Sequence, residues 1–175
     1  MTTTESQSIE IPFTRHVLAN GLQVIVHEDH DCPLASVNLW YHVGSKNEVP
    51  GRTGFAHLFE HLMFEASKHF GATYFEILQR AGGQINGSTN TDRTNYWELV
   101  PSNAVELALW MEADRMIHML PSLTDESFET QRGVVTVRYA RSVPFDHTLQ
   151  NVISGARNRS RSSAWMLSRG VCAAA

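Results

Sequence analysis

Gly54-Phe55-Ala56-His57-Leu58-Phe59-Glu60-His61-Leu62-Met63-Phe64 is the stretch around which the rest of the chain is organised. Its alanine, leucine, phenylalanine and methionine residues favour a helix, and Thr53 is expected to cap the start of that helix. His57 and His61 are four residues apart, so a helix places them on one face, where both rings can direct a nitrogen toward one point. The apolar flanks predict that this helix is mostly buried.

Two imidazoles held in this way form half of a zinc site. Glu60 lies at the edge of the same face and can take a proton from a water molecule at the metal. The alternative is a pair of surface histidines beside an acid on an amphipathic helix. The apolar flanks argue against that alternative, because buried histidine and glutamate side chains need partners. The pattern His57-x-x-Glu60-His61 is also the signature of the inverzincin metallopeptidases.

The composition is typical of one globular domain. The chain has 175 residues, of which 42% are hydrophobic and 18% are charged. Its two cysteines, Cys32 and Cys172, lack a C-x-x-C spacing, so they indicate neither a disulfide framework nor a cysteine metal site. Unpaired thiols in a reducing compartment are the expectation.

The N-terminal residues 1–9 lack a basic region, an apolar run and the arginines of a transit peptide. We expect this segment to be disordered and the protein to be cytoplasmic, with no membrane association, because no run of 18 apolar residues occurs. Residues 1–137 carry 17 acids against 8 lysines and arginines, whereas residues 138–175 carry one acid against six arginines. A basic tail can bind an anionic partner. We expect no nucleic-acid partner here, because the composition of this tail has another explanation, given below.

Hydrophobic periodicity and turn signals predict strands followed by helices without strict alternation. Asn20-Gly21 is a strong hairpin signal between the first two strands, and Thr124 is expected to cap the last helix. This pattern predicts an α+β fold, a mainly antiparallel sheet with helices packed on one face. The predicted strands are residues 10–18, 22–28, 34–43, 84–90 and 94–100, and the predicted helices are the one quoted above, residues 73–81, residues 104–120 and one that begins after residue 124.

A second motif block extends the pattern. The first block reads Gly51-x-x-Gly54-x-x-His57-x-x-Glu60-His61-x-x-Phe64, and the second reads Gly82-Gly83-x-x-Asn86-Gly87-x-Thr89-x-x-Asp92-x-Thr94-x-Tyr96. Over residues 10–136 the chain resembles the pitrilysin, insulysin and mitochondrial processing peptidase family of zinc metallopeptidases. The resemblance implies a peptidase-like half-domain, in a fold whose two similar α+β halves close around a chamber.

The resemblance also implies roles for individual residues. His57 and His61 correspond to zinc ligands, and Glu60 corresponds to the catalytic base. The strand that contains Asn86 and Gly87 corresponds to the cleft edge that takes up a peptide or unfolded polypeptide as an added strand. The family also implies a second half of the chamber, which a second subunit supplies in some members.

The sequence departs from the family at the third zinc ligand. The family places a glutamate shortly after a Val-Val pair, here Val134-Val135, but the expected position holds Arg138, 77 residues after His61. An arginine has no lone pair to offer a metal. From residue 137 onward the tail is rich in arginine, serine and alanine and resembles the family no longer. We interpret residues 10–136 as a partial metallopeptidase-like N-terminal domain, and residues 137–175 as an atypical tail, either frameshifted or disordered.

Three functions fit these observations. The first is a zinc-dependent metalloendopeptidase, truncated at its C-terminus and weakly active or inactive in this form. The second is a non-catalytic, peptidase-like binding or scaffold subunit that has lost its third zinc ligand. The third, a domain with purely structural zinc, is disfavoured because structural zinc prefers four protein ligands.

Overall fold

A computed structural model describes residues 10–50, 53–65, 67–71, 73–142 and 171–174. Residues 1–9 and 143–170 lie outside the described part. The predictions for the N-terminal segment and for most of the atypical tail concern these residues. The helices and strands are, in chain order, β1 (Thr14–Val17), β2 (Gln23–Val26), β3 (Leu34–Tyr41), α1 (Phe55–Leu62), α2 (Tyr74–Arg80), β4 (Gln84–Thr89), β5 (Thr94–Pro101), α3 (Val105–Ser122), α4 (Asp125–Ser142) and β6 (Val171–Ala174).

The strands form one sheet in the order β1-β2-β6-β3-β5-β4. Neighbouring strands are antiparallel, apart from the parallel pair of β2 and β6. The predicted hairpin is confirmed: β1 and β2 pair across Asn20-Gly21, and Gly21 adopts a φ of +87°, which glycine reaches without steric cost. Strand β4 lies at one edge of the sheet.

The core lies on one face of the sheet. Val37, Leu39 and Tyr41 of β3 are each at most 2% exposed and face the helices, whereas Trp40 points to the other face and is 42% exposed. Helices α1, α2 and α3 contact the sheet on the buried face, and α4 packs on α1. Each buried leucine or valine stabilises the fold by about 1.5–3 kcal/mol. The predicted α+β fold is therefore confirmed.

The start of α1 differs from the prediction. Gly54, with a φ of +92°, is the N-cap residue, and Thr53 does not cap the helix through its side chain. The carboxylate of Glu48 takes this role and accepts hydrogen bonds from the backbone nitrogens of Gly54 and Ala56, at 2.8 Å each. A carboxylate satisfies two unpaired N–H groups at once and its negative charge is favourable at a helix N-terminus.

The last described segments give regular structure to part of the tail. Thr124 caps α4 as predicted, because its Oγ1 accepts a hydrogen bond from the backbone nitrogen of Ser127 at 3.1 Å. Helix α4 then continues to Ser142, beyond the point where the family resemblance ends. Strand β6 lies between β2 and β3. Pairing on both sides satisfies the backbone groups of β6, so its position in the sheet outweighs its weak local pattern.

Cys32 is an exposed free thiol, as predicted. None of the described helices combines the length and the apolar composition needed to cross a membrane.

Candidate active site

The two motif histidines lie together on α1. The ring centroids of His57 and His61 are 4.9 Å apart, and the ring planes meet at 73°. Both side chains are half-buried, whereas the apolar residues Ala56, Leu58, Phe59, Leu62 and Met63 around them are buried in the core. The helix predicted from the sequence therefore forms and brings the two imidazoles side by side.

Glu60 is held by the end of β4. Its side chain is 9% exposed, and its Oε2 accepts a hydrogen bond of 2.5 Å from the Oγ1 of Thr89. Thr89 is held in turn by Thr94, whose Oγ1 lies 3.4 Å away and donates to the backbone oxygen of Val43 at 3.0 Å. Thr89 belongs to the second motif block, but no role was predicted for it. Residues two apart on a strand point to the same face, so the alternation of β4 was the signal that Thr89 and Gly87 share one face.

His61 has a partner on α4 that the sequence did not reveal. Its Nδ1 lies 3.2 Å from the Oε1 of Gln131, and the amide nitrogen of Gln131 donates to Glu65. With this amide orientation, the Nδ1–H of His61 donates to Gln131 and the lone pair resides on Nε2. Hydrogen bonds of this kind fix the tautomer and orientation of a metal-binding imidazole. The contact joins residues 70 positions apart in sequence, so no local pattern predicts it.

An open cleft of about 610 Å³ lies between α1 and the end of β4. Strand β4, which is an edge strand of the sheet that the described residues form, borders it through residues 87–89. His57 and Glu60 therefore face a space large enough for part of a peptide. The cleft is lined by Ser45, Glu48, Ala56, His57, Glu60, Gly87, Ser88, Thr89, Asn90 and Thr91.

The two predicted substrate-binding residues, Asn86 and Gly87, differ in their position relative to the cleft. Among the described residues that line the cleft, Gly87 is present and Asn86 is not. The Oδ1 of Asn86 accepts a hydrogen bond from the backbone nitrogen of Gly87 at 2.8 Å. A Cβ on Gly87 would lie 3.0 Å from the Phe64 ring and 3.2 Å from the Tyr96 ring, so close packing against the core also requires glycine here.

A buried cluster of Glu98, Glu112 and Arg115 lies in the core near the site. Arg115 is 1% exposed and forms an ion pair with Glu112. Its guanidinium carbon lies 4.2 Å from the centroid of the Tyr96 ring and 4.3 Å from that of the Tyr74 ring. This cluster was not predicted from the sequence. The spacing of Glu112 and Arg115, three residues apart on a helix, was the available signal.

One cation cannot neutralise two buried carboxylates. Burial raises the pKa of Glu98 to about 10, and the neighbouring Glu112 adds to this effect. Burial also opposes the ionisation of Glu112, but the charge of the adjacent Arg115 and the hydrogen bonds from Glu98, Arg115 and Tyr74 together outweigh burial and hold the pKa of Glu112 below its ordinary value. Glu98 is therefore neutral at pH 7, and the ion pair belongs to Glu112 and Arg115.

The position expected for the third zinc ligand lies on α4. Arg138 follows Gln131 by seven residues, about two helical turns. The donors on α1 fit the two-histidine part of a zinc site, because the two imidazole rings lie side by side and one of them is oriented by Gln131. An arginine at the third position does not fit, since a guanidinium cannot ligate a metal.

Comparisons with known proteins support the same family. The sequence profile of Insulinase (Peptidase family M16) matches residues 23–164, continuing past residue 136, where the quoted resemblance ends. The zinc protease PqqE of Helicobacter pylori is 36% identical over 120 residues, which are 67% of this chain and 27% of that protein. The mitochondrial-processing peptidase subunit beta of Bos taurus is 30% identical over 129 residues, 73% of this chain and 26% of that protein.

A solved structure supports the fold. The crystal structure of a protease from Helicobacter pylori superposes with a TM-score of 0.77 at 24% identity, covering 93% of this chain and 46% of that one. The chain spans about a quarter of the length of the curated relatives named above. The profile match, the motif histidines on α1 and the shared fold lead to one conclusion: the chain belongs to the insulinase family of peptidases, family M16, and corresponds to its N-terminal region.

Proposed function

We propose that this chain carries the zinc-binding helix and the base of a zinc-dependent metalloendopeptidase, and that it is weakly active or inactive in its present form. The observation that carries the proposal is the placement of His57, Glu60 and His61 on one helix beside an open cleft. His57 and His61 would hold Zn²⁺. The chemistry that zinc supplies in such a site is Lewis acidity, which polarises a carbonyl and makes water a better nucleophile.

The residues of the chain supply the proton transfers and the positioning. Glu60 accepts a proton from the attacking water and then donates it to the amine that leaves. The hydrogen bond from Thr89 fixes the carboxylate of Glu60 for this task, and Gln131 fixes the ring of His61. Positioning of this kind matters because a misplaced catalytic group loses much of its effect.

The substrate we propose is an extended peptide or an unfolded polypeptide. Strand β4 lies at a sheet edge beside the cleft, and an extended peptide can add to such an edge through its backbone amides. In this proposal Gly87, which lines the cleft, lets a peptide approach closely, and Asn86, which is exposed, contacts the peptide from beyond the cleft wall. The expected absence of a nucleic-acid or membrane partner and the cytoplasmic location stay predictions.

One observation supports weak activity. Catalytic zinc sites normally have three protein ligands, and Arg138 occupies the position that the family resemblance assigns to the third. The chain spans about a quarter of the length of the curated relatives, and the second half of the chamber that the family resemblance implies would come from a second subunit.

A non-catalytic binding subunit is the second candidate. Arg138 favours it, because loss of a zinc ligand removes catalysis but leaves the free edge of β4 intact. In that case the chain would still bind extended peptides without cleaving them.

One experiment separates the two candidates. The variant Arg138→Glu, the unchanged chain and the double variant Arg138→Glu/Glu60→Gln are loaded with zinc and incubated with a quenched fluorescent peptide. If the peptidase proposal holds, Arg138→Glu cleaves the peptide faster than the unchanged chain, and adding Glu60→Gln lowers its turnover by about 10²–10⁴-fold with zinc content unchanged.

Other outcomes count against the peptidase proposal. Peptide binding by all three chains without cleavage supports the binding subunit instead. Cleavage that is indifferent to Glu60→Gln would show that another group, or a contaminant, carries the activity.

A further inference from the structure

A second group of metal-binding side chains lies away from the cleft. His69, Asp114 and His118 each offer a ligand atom, and these atoms all lie within 4.8 Å of one another. We propose that they form a second divalent transition-metal site, which takes Zn²⁺ through two imidazole nitrogens and one carboxylate oxygen. None of the three lies on α1, which carries the motif histidines, and none of them lines the cleft described above.

The fold brings the three donors together from two elements. Asp114 and His118 are four residues apart on α3 and so share one face of that helix. His69 comes from the turn Ser67–Phe70, which closes by a backbone hydrogen bond of 3.2 Å from Ser67 to Phe70. Phe70 is 6% exposed and packs in the core, so it anchors the turn against α3. The rings of His69 and His118 have centroids 4.7 Å apart and are nearly perpendicular, at 89°.

The carboxylate is already held in place. Asp114 is 5% exposed; its Oδ1 contacts the Nδ1 of His69, and its Oδ2 accepts a hydrogen bond from the hydroxyl of Ser67. An ionised carboxylate with one oxygen fixed by a neighbouring hydroxyl is typical of metal sites.

The donor set indicates the class of ion. Two imidazoles and one carboxylate suit zinc and its neighbours in the transition series, whereas magnesium and calcium prefer sites made of oxygen. The His69 side chain is 44% exposed, so a fourth position is open to water. A serine-histidine-aspartate relay does not fit these atoms, because Ser67 donates to the aspartate and not to the imidazole.

The first test counts zinc per chain. The chain is stripped with a chelator, reloaded with ZnCl₂ and desalted, and its zinc is measured by elemental analysis. His69→Ala is the main variant, because its exposed side chain can be removed with little effect on the core. His30→Ala is the matched control: His30 is also exposed and lies 3.7 Å from Glu28, but it belongs to no three-donor group among the described residues. The proposal predicts that His69→Ala loses one equivalent of zinc and that His30→Ala loses none.

A second test uses affinity. Ser67→Ala keeps all three donors and removes only the hydroxyl that orients Asp114, so it should weaken zinc binding at this site by about 10–100-fold. The affinity is measured in chains that also carry His57→Ala and His61→Ala, which removes the α1 histidines. In this background zinc at about 100 times its Kd should raise Tm by about 5–10 °C, and His118→Ala should abolish the rise.

The proposal is overturned if His69→Ala and His30→Ala bind as much zinc as the unchanged chain, because the bound zinc is then held elsewhere. If a variant fails to fold, the imidazole nitrogen NMR signals of the unchanged chain decide the matter. Shifts of the His69 and His118 signals upon addition of one equivalent of zinc beyond the first support the site, and unshifted signals overturn it.

Discussion

Two charged clusters lie near the Tyr96 ring, and they differ in their access to solvent. In the cleft cluster of His57, Glu60 and His61, the side chains of His57 and Glu60 line an open space. In the buried cluster of Glu98, Glu112 and Arg115, each member is at most 3% exposed. Both clusters act on Tyr96: burial raises the pKa of its hydroxyl, the charge of Arg115 opposes this, and the charge of Glu60 adds to it. We infer that the buried cluster stabilises the core and that the cleft cluster is available to a substrate. Changes in the first should cost stability, and changes in the second should cost function.

The largest expected effect on stability comes from Arg115→Met. This change leaves the ionised Glu112 buried without its cation, which should lower the free energy of unfolding by about 3–5 kcal/mol. Arg80→Met is the control, because Arg80 is 75% exposed and pairs with Glu76 on the surface; its loss should cost less than about 1 kcal/mol. Urea unfolding followed by circular dichroism measures both. Equal losses would show that the buried cluster has no special structural role.

Glu98→Gln should change how stability depends on pH. Folded Glu98 keeps its proton until pH about 10, whereas the unfolded side chain releases it near pH 4.5. Between these values unfolding releases a proton, so stability falls as pH rises, by up to about 1.4 kcal/mol per pH unit. Glutamine has no proton to release, so the variant should show a flatter profile from about pH 5 to about pH 9. Urea unfolding across this range tests the prediction, and parallel profiles for the two chains would contradict it.

The smallest effect concerns the positioning of Glu60. Thr89→Val removes the hydroxyl that holds the carboxylate, and we expect kcat for peptide cleavage by the Arg138→Glu variant to fall about 10-fold, or about 1.4 kcal/mol. KM should change little, because the Thr89 hydroxyl is hydrogen-bonded to the catalytic base Glu60 in this proposal. Thr89→Ser keeps the hydroxyl and should retain most of the rate. A fall in Tm that accounts for the lost activity of Thr89→Val would point to a structural role instead.

Local patterns predicted most of the fold. The hairpin at Asn20-Gly21, the motif helix and the cap at Thr124 all depend on residues close in sequence, and the structure confirms each of them. The cap of α1 was wrong because Glu48 reaches it from outside the helix. Strand β6 was missed for a similar reason, since its pairing with β2 and β3 joins segments more than 100 residues apart.

The same distinction holds at the site. His57, Glu60 and His61 are neighbours on one helix, so their spacing predicts their grouping. Thr89 and Gln131 reach them from 29 and 70 residues away in sequence, and only the folded chain shows these contacts. Arg138 was found through the family resemblance, not through a local pattern.

The most direct test of the account is a zinc titration by calorimetry. The unchanged sequence and Arg138→Glu are compared, both carrying His69→Ala so that zinc reports on the α1 histidines. We predict that Arg138→Glu binds one zinc at least about 10-fold more tightly than the unchanged sequence does. The reason is that a third protein ligand should contribute at least as much to zinc affinity as a hydrogen bond that orients a ligand. We also predict that His61→Ala removes this binding. Equal affinity in the two chains, or tight binding that survives His61→Ala, would contradict the claim that α1 holds two zinc ligands and that position 138 decides the strength of the site.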